Sequence, residues 1–160
     1  MAKPTLYTQE QIEEYTAQGL WTTATIAGFW DRNAAEYPNR EAIVDSRIRL
    51  TWLEGNRWIN RLALGFLEMG LKRDDVVVLQ LPNSVELTLL RVACEKAGLV
   101  CLPALISLRQ REMEYILVHT EASAIVIYNE YRGFNFLGMV QDFRGGLPNL
   151  RHVLLVDSDG

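Results

Sequence analysis

The residues of this chain that are able to do chemistry are dispersed, and their spacing limits what they can be. Cys94 and Cys101 form no Cys-x-x-Cys pair, and two cysteines are too few for a disulfide framework in a domain of this size. They read as buried reduced thiols, one on a helix and one on a strand. A reactive Cys101 near a strand end is the alternative, with no neighbouring histidine or basic residue in the sequence to support it. His119 and His152 lie far apart, with no second histidine at helical spacing and no cysteine partner, so a metal site is not expected. Glu112 and Glu114 share a helix but stand at i and i+2, which turns them away from each other as an acid–base pair. Arg109 and Arg111 fit either a contact with an acidic group or a solvated helix start. Ser84, Ser107 and Ser123 each fit a cap or a strand edge, and none stands in a Gly-x-Ser-x-Gly elbow.

Phosphate-binding loops are missing as well. There is no Gly-x-Gly-x-x-Gly and no Gly-x-x-x-x-Gly-Lys-[Ser/Thr]. The turn after the first strongly apolar run is Leu81-Pro82-Asn83-Ser84, without a glycine to admit a pyrophosphate. The helix start that follows, with Asn83 as its cap, is able to hold an anion through free amides and its dipole, as any helix start is. No nucleophile can be named, and the expected catalytic, cofactor-binding and metal-ligating residues are none.

The elements that would position any site are clearer. Residues 76–81, Val-Val-Val-Leu-Gln-Leu, are too apolar for a strand with one wet face and suit a strand buried on both sides of a parallel sheet. Residues 99–102, 124–128 and 152–156 are further strand candidates, separated by helical patterns. Leu87, Leu90 and Cys94 mark the inward side of one such helix, closed by Gly98. Ser107 and Gln110 open the next at capping-box spacing, and Met113, Ile116 and Leu117 follow. A loop with Gly133, a short helix over 136–143 and a Gly145-Gly146 turn precede the last strand. Upstream, Thr8 caps a polar outer helix that stops near Gly19. A second helix spans 26–37, with Phe29, Trp30 and Ala34 on one side and Pro38 beyond its end. Residues 42–45 and 48–50 form a hairpin across Ser46-Arg47, whose turn chemistry is weak. Thr51 and Glu54 then make a capping box for a long helix with Trp58, Leu62 and Phe66 inward, Ile59 and Leu67 flanking, and Gly70 as its stop. The expected fold class is α/β, with right-handed βαβ units forming a largely parallel sheet covered by helices.

Composition excludes several classes. At 49% hydrophobic and 22% charged residues, the chain is too apolar for disorder. A net charge of −4 argues against a nucleic-acid footprint. No stretch approaches the roughly 20 continuous apolar residues of a membrane span. Met1-Ala2-Lys3-Pro4-Thr5 opens no secretory segment, and a cytoplasmic location is expected. The 160 residues read as a single domain, with 1–25 as a peripheral segment.

Leu50-Thr51-Trp52-Leu53-Glu54 resembles the first core motif of the adenylate-forming enzymes, usually Leu-Thr-Tyr-x-Glu-Leu, with Trp52 in place of Tyr and Gly55 in place of Leu. The run from Cys94 to Pro103, with Lys96-Ala97-Gly98 at a helix end, resembles the second, and residues 75–83 match the strand before it. Arg109, Glu112, Tyr115, Ile116 and Leu117 fit the stretch that follows. Gln80-Leu81-Pro82-Asn83, Tyr131-Arg132-Gly133-Phe134 and Leu147-Pro148-Asn149-Leu150 look most like the aryl-acid AMP ligases of siderophore synthesis, such as 2,3-dihydroxybenzoate–AMP ligases.

The resemblance implies the N-terminal part of the AMP-dependent synthetase/ligase fold, and an enzyme that uses ATP and Mg2+ to turn a carboxylic acid into an acyl-adenylate. CoA or a carrier-protein thiol then accepts the acyl group. The family's phosphate loop, ribose aspartate and C-terminal lysine have no matching position here, so no catalytic residue is carried over. The chain is expected to need the remainder of the adenylation domain as its partner, to bind no ATP or Mg2+ alone, to be inactive alone and to be marginally stable. Its stop at Asp157-Ser158-Asp159-Gly160, just past a buried strand, favours a truncated piece. A free-standing α/β binding module and a fragment of a fatty acyl-CoA synthetase are the alternatives.

Overall fold

Two runs, Val76–Gln80 and Ala124–Tyr128, lie side by side in parallel, and every residue of both is buried. The computed structural model describes residues 7–156, and the expectations for residues 1–5 and 157–160 lie outside the described residues. In chain order the elements are α1 (Gln9–Ala17), α2 (Ile26–Glu36), β1 (Glu41–Val44), β2 (Arg49–Thr51), α3 (Trp52–Glu68), β3 (Val76–Gln80), α4 (Val85–Lys96), β4 (Val100–Pro103), α5 (Gln110–His119), β5 (Ala124–Tyr128), β6 (Glu130–Tyr131), β7 (Phe134–Asn135), α6 (Phe136–Arg144) and β8 (His152–Val156). β4, β3, β5 and β8 neighbour one another in that order, all parallel. β1–β2 and β6–β7 are antiparallel hairpins.

Side chains alternate across a strand, so the central runs feed two cores. Val77, Leu79, Ala124, Val126 and Tyr128 join α2, α3 and α4. Val76, Val78, Ile125 and Ile127 join α5 and α6. Helices therefore cover both faces, which is the expected α/β class with a parallel sheet. Gln80 is the polar residue in this buried ladder. Its Nε2 donates to the carbonyls of Leu108 at 2.9 Å and Leu105 at 3.3 Å, pinning the β4–α5 loop to the end of β3. No helix among the described residues is long and apolar enough to cross a membrane.

Several local expectations are corrected. Gly55, Ile59, Ala63 and Phe66 form the buried face of α3, while Trp58 and Leu67 are exposed. The helix is turned because Trp30 lies against Gly55, where a Cβ would come within 2.7 Å of the indole Cζ3. On α2 the inward residues are Ala27, Trp30 and Ala34, and Phe29 is exposed beneath the Arg32 guanidinium. α4 is capped by Ser84, whose Oγ accepts from the Leu87 amide at 3.3 Å, and not by Asn83. Leu87 is only half-buried, and Val85, Leu89, Leu90, Val92, Ala93 and Cys94 carry the packing.

α5 begins at Gln110, with the Arg109 amide donating to Glu112 at 3.1 Å. Ser107 instead sits inside the turn that Gln80 holds. The loop around Gly133 is a two-residue hairpin turn, with Arg132 at φ 50° and Gly133 at φ 75°. Positive φ at both central residues matches the right-handed twist of the flanking strands. Asn135 then caps α6 through the Gly138 amide at 2.7 Å.

Gly55→Leu, which restores the usual motif residue, is expected to destabilise the chain by about 1–3 kcal/mol through overpacking against Trp30. Urea unfolding of Trp30→Ala, Gly55→Leu and the double variant checks this: the double variant should be more stable than the two single effects sum to.

Candidate functional site

From β3 the chain crosses to β4 on one side, while β5 takes the other side of β3. A parallel sheet opens a crevice at such a reversal, outside the carboxyl ends of the strands. Here the crevice, about 270 Å³, is walled by Pro82, Asn83 and Ser84 after β3, by Tyr128 at the end of β5, by Tyr131, and by the β1–β2 turn.

Asp45 of that turn organises the wall. Its Oδ1 accepts from the amides of Arg47 at 2.8 Å and Ile48 at 2.9 Å, closing the hairpin. Its Oδ2 accepts from the Val85 amide in the first turn of α4 at 3.0 Å. These donors, the Val85 amide foremost, hold the Asp45 carboxyl down at about 2, against an ordinary 3.8. Arg47 reaches over to Glu86, with one guanidinium nitrogen 2.7 and 2.8 Å from its two oxygens. Tyr128 is buried under this pair, its ring stacked on Tyr131 at 5.8 Å. Burial and then the Glu86 charge push its phenol up, against hydrogen bonds with Ser84 and Arg47. Tyr128 is thus a protonated hydroxyl at neutral pH.

This arrangement settles the anion expectation at the start of α4. The Val85 amide is taken by Asp45 and the Leu87 amide by Ser84, and Arg47 is neutralised by Glu86. The anion bound at this helix start is the chain's own Asp45. The crevice offers a hydroxyl, a phenol and an amide to a polar neighbour, but no spare cation for a phosphate.

Elsewhere, the two histidines stay apart, whereas Cys94 and Cys101 join the same core. His119 ends α5, stacked on Tyr115 at 5.4 Å, and His152 opens β8. No group of three or more His, Cys, Asp or Glu able to hold a metal occurs among the described residues. The Arg109 guanidinium lies 4.1 Å over the Phe134 ring and donates to the carbonyls of Ile106 and Leu108, and its charge acts on Glu112. Glu112 is a cap. Ser123 is a strand-edge residue, its amide donating to the Val76 carbonyl at 2.9 Å. What the sequence reading missed is Asp45 and the Arg47–Glu86 pair. An Asp one residue before a Ser-Arg turn was the available signal for the first.

A family model for AMP-binding enzymes matches residues 30–160. The chain belongs to the AMP-binding enzyme family. It is the N-terminal part of an adenylate-forming enzyme. Over 151 residues it is 30% identical to 2,3-dihydroxybenzoate-AMP ligase of Bacillus subtilis, covering 94% of this chain and 28% of that protein. It is 30% identical to 2-hydroxy-7-methoxy-5-methyl-1-naphthoate–CoA ligase of Streptomyces carzinostaticus, covering 91% of this chain and 26% of that protein. Among solved structures, apo MbtA of Mycobacterium smegmatis superposes with a TM-score of 0.84 at 27% identity, over 97% of this chain and 28% of that chain. The chain thus spans little more than a quarter of the relatives it matches.

Asp45→Ala in this AMP-binding family chain is expected to cost about 2 kcal/mol at neutral pH, by freeing the Val85 amide at the start of α4 and opening the hairpin turn. Because the folded carboxyl titrates below its unfolded value, that stabilisation is full above about pH 4 and fades as pH falls toward about 2. Urea unfolding at several pH values should show wild type and variant converging in acid.

Proposed function

We propose that this chain is the N-terminal portion of an ATP-dependent carboxylic acid–AMP ligase that activates an aryl acid for transfer to a thiol. The 30% identity to a 2,3-dihydroxybenzoate-AMP ligase, over 94% of the chain, carries this reading. Similarity to the vibriobactin-specific 2,3-dihydroxybenzoate-AMP ligase of Vibrio cholerae, at 30% identity, supports the aryl class and a place in siderophore synthesis.

The reaction has two displacements. The acid's carboxylate oxygen attacks the α-phosphorus of ATP, and pyrophosphate leaves. The thiolate of CoA or of a carrier protein then attacks the acyl carbonyl, and AMP leaves. Developing charge on phosphate needs cations and donors in a dry site. The described residues do not fit that group: Arg47 is spent on Glu86, the engaged amides of α4 hold Asp45 and Ser84, and no acidic cluster offers a seat for Mg2+. ATP and Mg2+ would be held by the remainder of the adenylation domain, and the present residues would serve as its scaffold.

In this reading the whole 160 residues act as one α/β domain, with residues 1–25 at its periphery and the enzyme in the cytoplasm. α1 buries none of its residues, which supports the peripheral placement. A second reading, a fatty acyl parent, is favoured by 27% identity to medium-chain fatty-acid–CoA ligase of Escherichia coli over 94% of the chain.

Exchange of labelled pyrophosphate into ATP tests both readings. The 160 residues alone should give none. The longer product of the source reading frame should give exchange with 2,3-dihydroxybenzoate or salicylate, and far less with a medium-chain fatty acid. Exchange by the isolated chain, or a preference for the fatty acid, would overturn the aryl-ligase reading.

The scaffold role also makes a prediction for the isolated chain. Trp58, Leu62, Leu154 and Leu155 line an apolar groove of about 290 Å³ between α3, α4 and β8. Trp58 is 42% and Leu155 49% exposed. If the rest of the ligase packs here, the isolated chain should bind anilinonaphthalene sulfonate with enhanced fluorescence, and Leu155→Glu should reduce that signal.

A further inference from the structure

α4 ends and β4 begins across a tight turn, in which Gly98 takes φ 73° and the Leu99 amide returns to the Cys94 carbonyl at 2.8 Å. The turn brings the chain's two cysteines together, Cys94 from inside α4 and Cys101 from β4. Cys94 belongs to the core shared by α2, α3 and α4, and Cys101 packs against that same core. The two differ in access. Cys94 is fully enclosed, while Cys101 is half-buried and lines a crevice of about 330 Å³ on the flank of β4.

The walls of that crevice are apolar at Ile26, Trp30 and Leu99, with Arg91 projecting from α4. Arg91 stands one helical turn before Cys94, so its charge acts on Cys101 through the fold and not through neighbouring sequence. Glu95, the carboxylate in the same crevice, is occupied by the amides of Ile26 at 3.0 Å and Ala27 at 3.3 Å.

We propose that Cys101 and Cys94 form a peroxide-reactive thiol pair, with Cys101 as the attacking sulfur and Cys94 as the resolving one. The Cys101 thiolate attacks one oxygen of a hydroperoxide, the O–O bond breaks, and the departing oxygen leaves as water or alcohol after taking a proton. Cys101 is oxidised to the sulfenic acid by two electrons, and the peroxide is reduced. Cys94 then loses its proton and attacks the Cys101 sulfur; the S–O bond breaks, water leaves and a disulfide remains.

The order of events follows from the environments. The neighbouring Cys94 thiol and then Arg91 hold the Cys101 thiol below the usual cysteine range, against its burial. The neighbouring Cys101 sulfur, and then burial, push Cys94 up, so it enters only once its partner has become an electrophile. Closing the bond brings the two sulfurs to covalent distance. Among the described residues β4 is an edge strand, paired with β3 on one side.

The test uses the 160-residue chain itself. Iodoacetamide should alkylate Cys101 at least about tenfold faster than Cys94, as thiolate fraction and access dictate. Hydrogen peroxide should then remove the mass of two hydrogen atoms. Trypsin should release the peptide ending at Lys96 joined by a disulfide to the peptide ending at Arg109, because cleavage at Lys96 separates the two cysteines. Cys94→Ser should stop at a sulfenic acid trapped by dimedone, and Arg91→Gln should slow the oxidation several-fold. Equal alkylation of the two thiols in the wild-type chain would overturn the proposal. So would peroxide that yields sulfinic acid on Cys101 without the linked peptides, or that links Cys101 between two molecules.

Discussion

Water cannot reach β3 or β5, and that exclusion governs most of what surrounds them. Every amide and carbonyl of these strands must find a partner within the protein, because an unpaired buried backbone group costs about 1–3 kcal/mol. The parallel ladders to β4 and β8 supply those partners. Once both faces are closed, helices must lie above and below, and the connections between strands must be long enough to carry them. The polar residue in the run meets the rule only in part. Gln80 is fully enclosed; its amide nitrogen donates to the Leu105 and Leu108 carbonyls, while its Oε1 has no protein partner among the described residues.

Much of this was legible in the sequence because it depends on local signals. Runs such as Val76-Val77-Val78 and Ala124-Ile125-Val126 announce strands without a wet face, and Thr8–Gln11 and Thr51–Glu54 are real capping boxes. Facing was harder. Trp58, Leu62 and Phe66 make the more hydrophobic stripe of α3, yet the helix turns Gly55, Ile59, Ala63 and Phe66 inward. The deciding residue is Trp30, on another helix, and no periodicity within α3 contains it. The same fact accounts for the departure from the family motif at position 55, since the indole fills the space of the usual leucine.

The crevice was less legible than the sheet. Its parts come from segments about forty residues apart, and the interactions that define it are long-range: Asp45 with Val85, Arg47 with Glu86. Neighbouring residues made Asn83 the evident cap and left the helix start open for an anion. Tertiary structure moved the cap to Ser84 and supplied the anion from a hairpin. Arg91 and Cys101 show the same limit, being separated in sequence by a helix end and a turn, but adjacent across them. Membership in a family was easier to read than chemistry because the matching motifs are structural ones, conspicuous through the glycines, prolines and caps that shape the backbone.

Asp45 holds two structures with one carboxylate, and this couples their opening. The β1–β2 hairpin has a ladder of its own, and α4 belongs to the main core. If the hairpin lifts away, the first turn of α4 loses its acceptor in the same event; if that turn frays, the hairpin loses an anchor. The Val85 amide is therefore a built-in reporter. Its solvent exchange would follow the detachment of a hairpin forty residues upstream, rather than the fraying of the helix in which it resides.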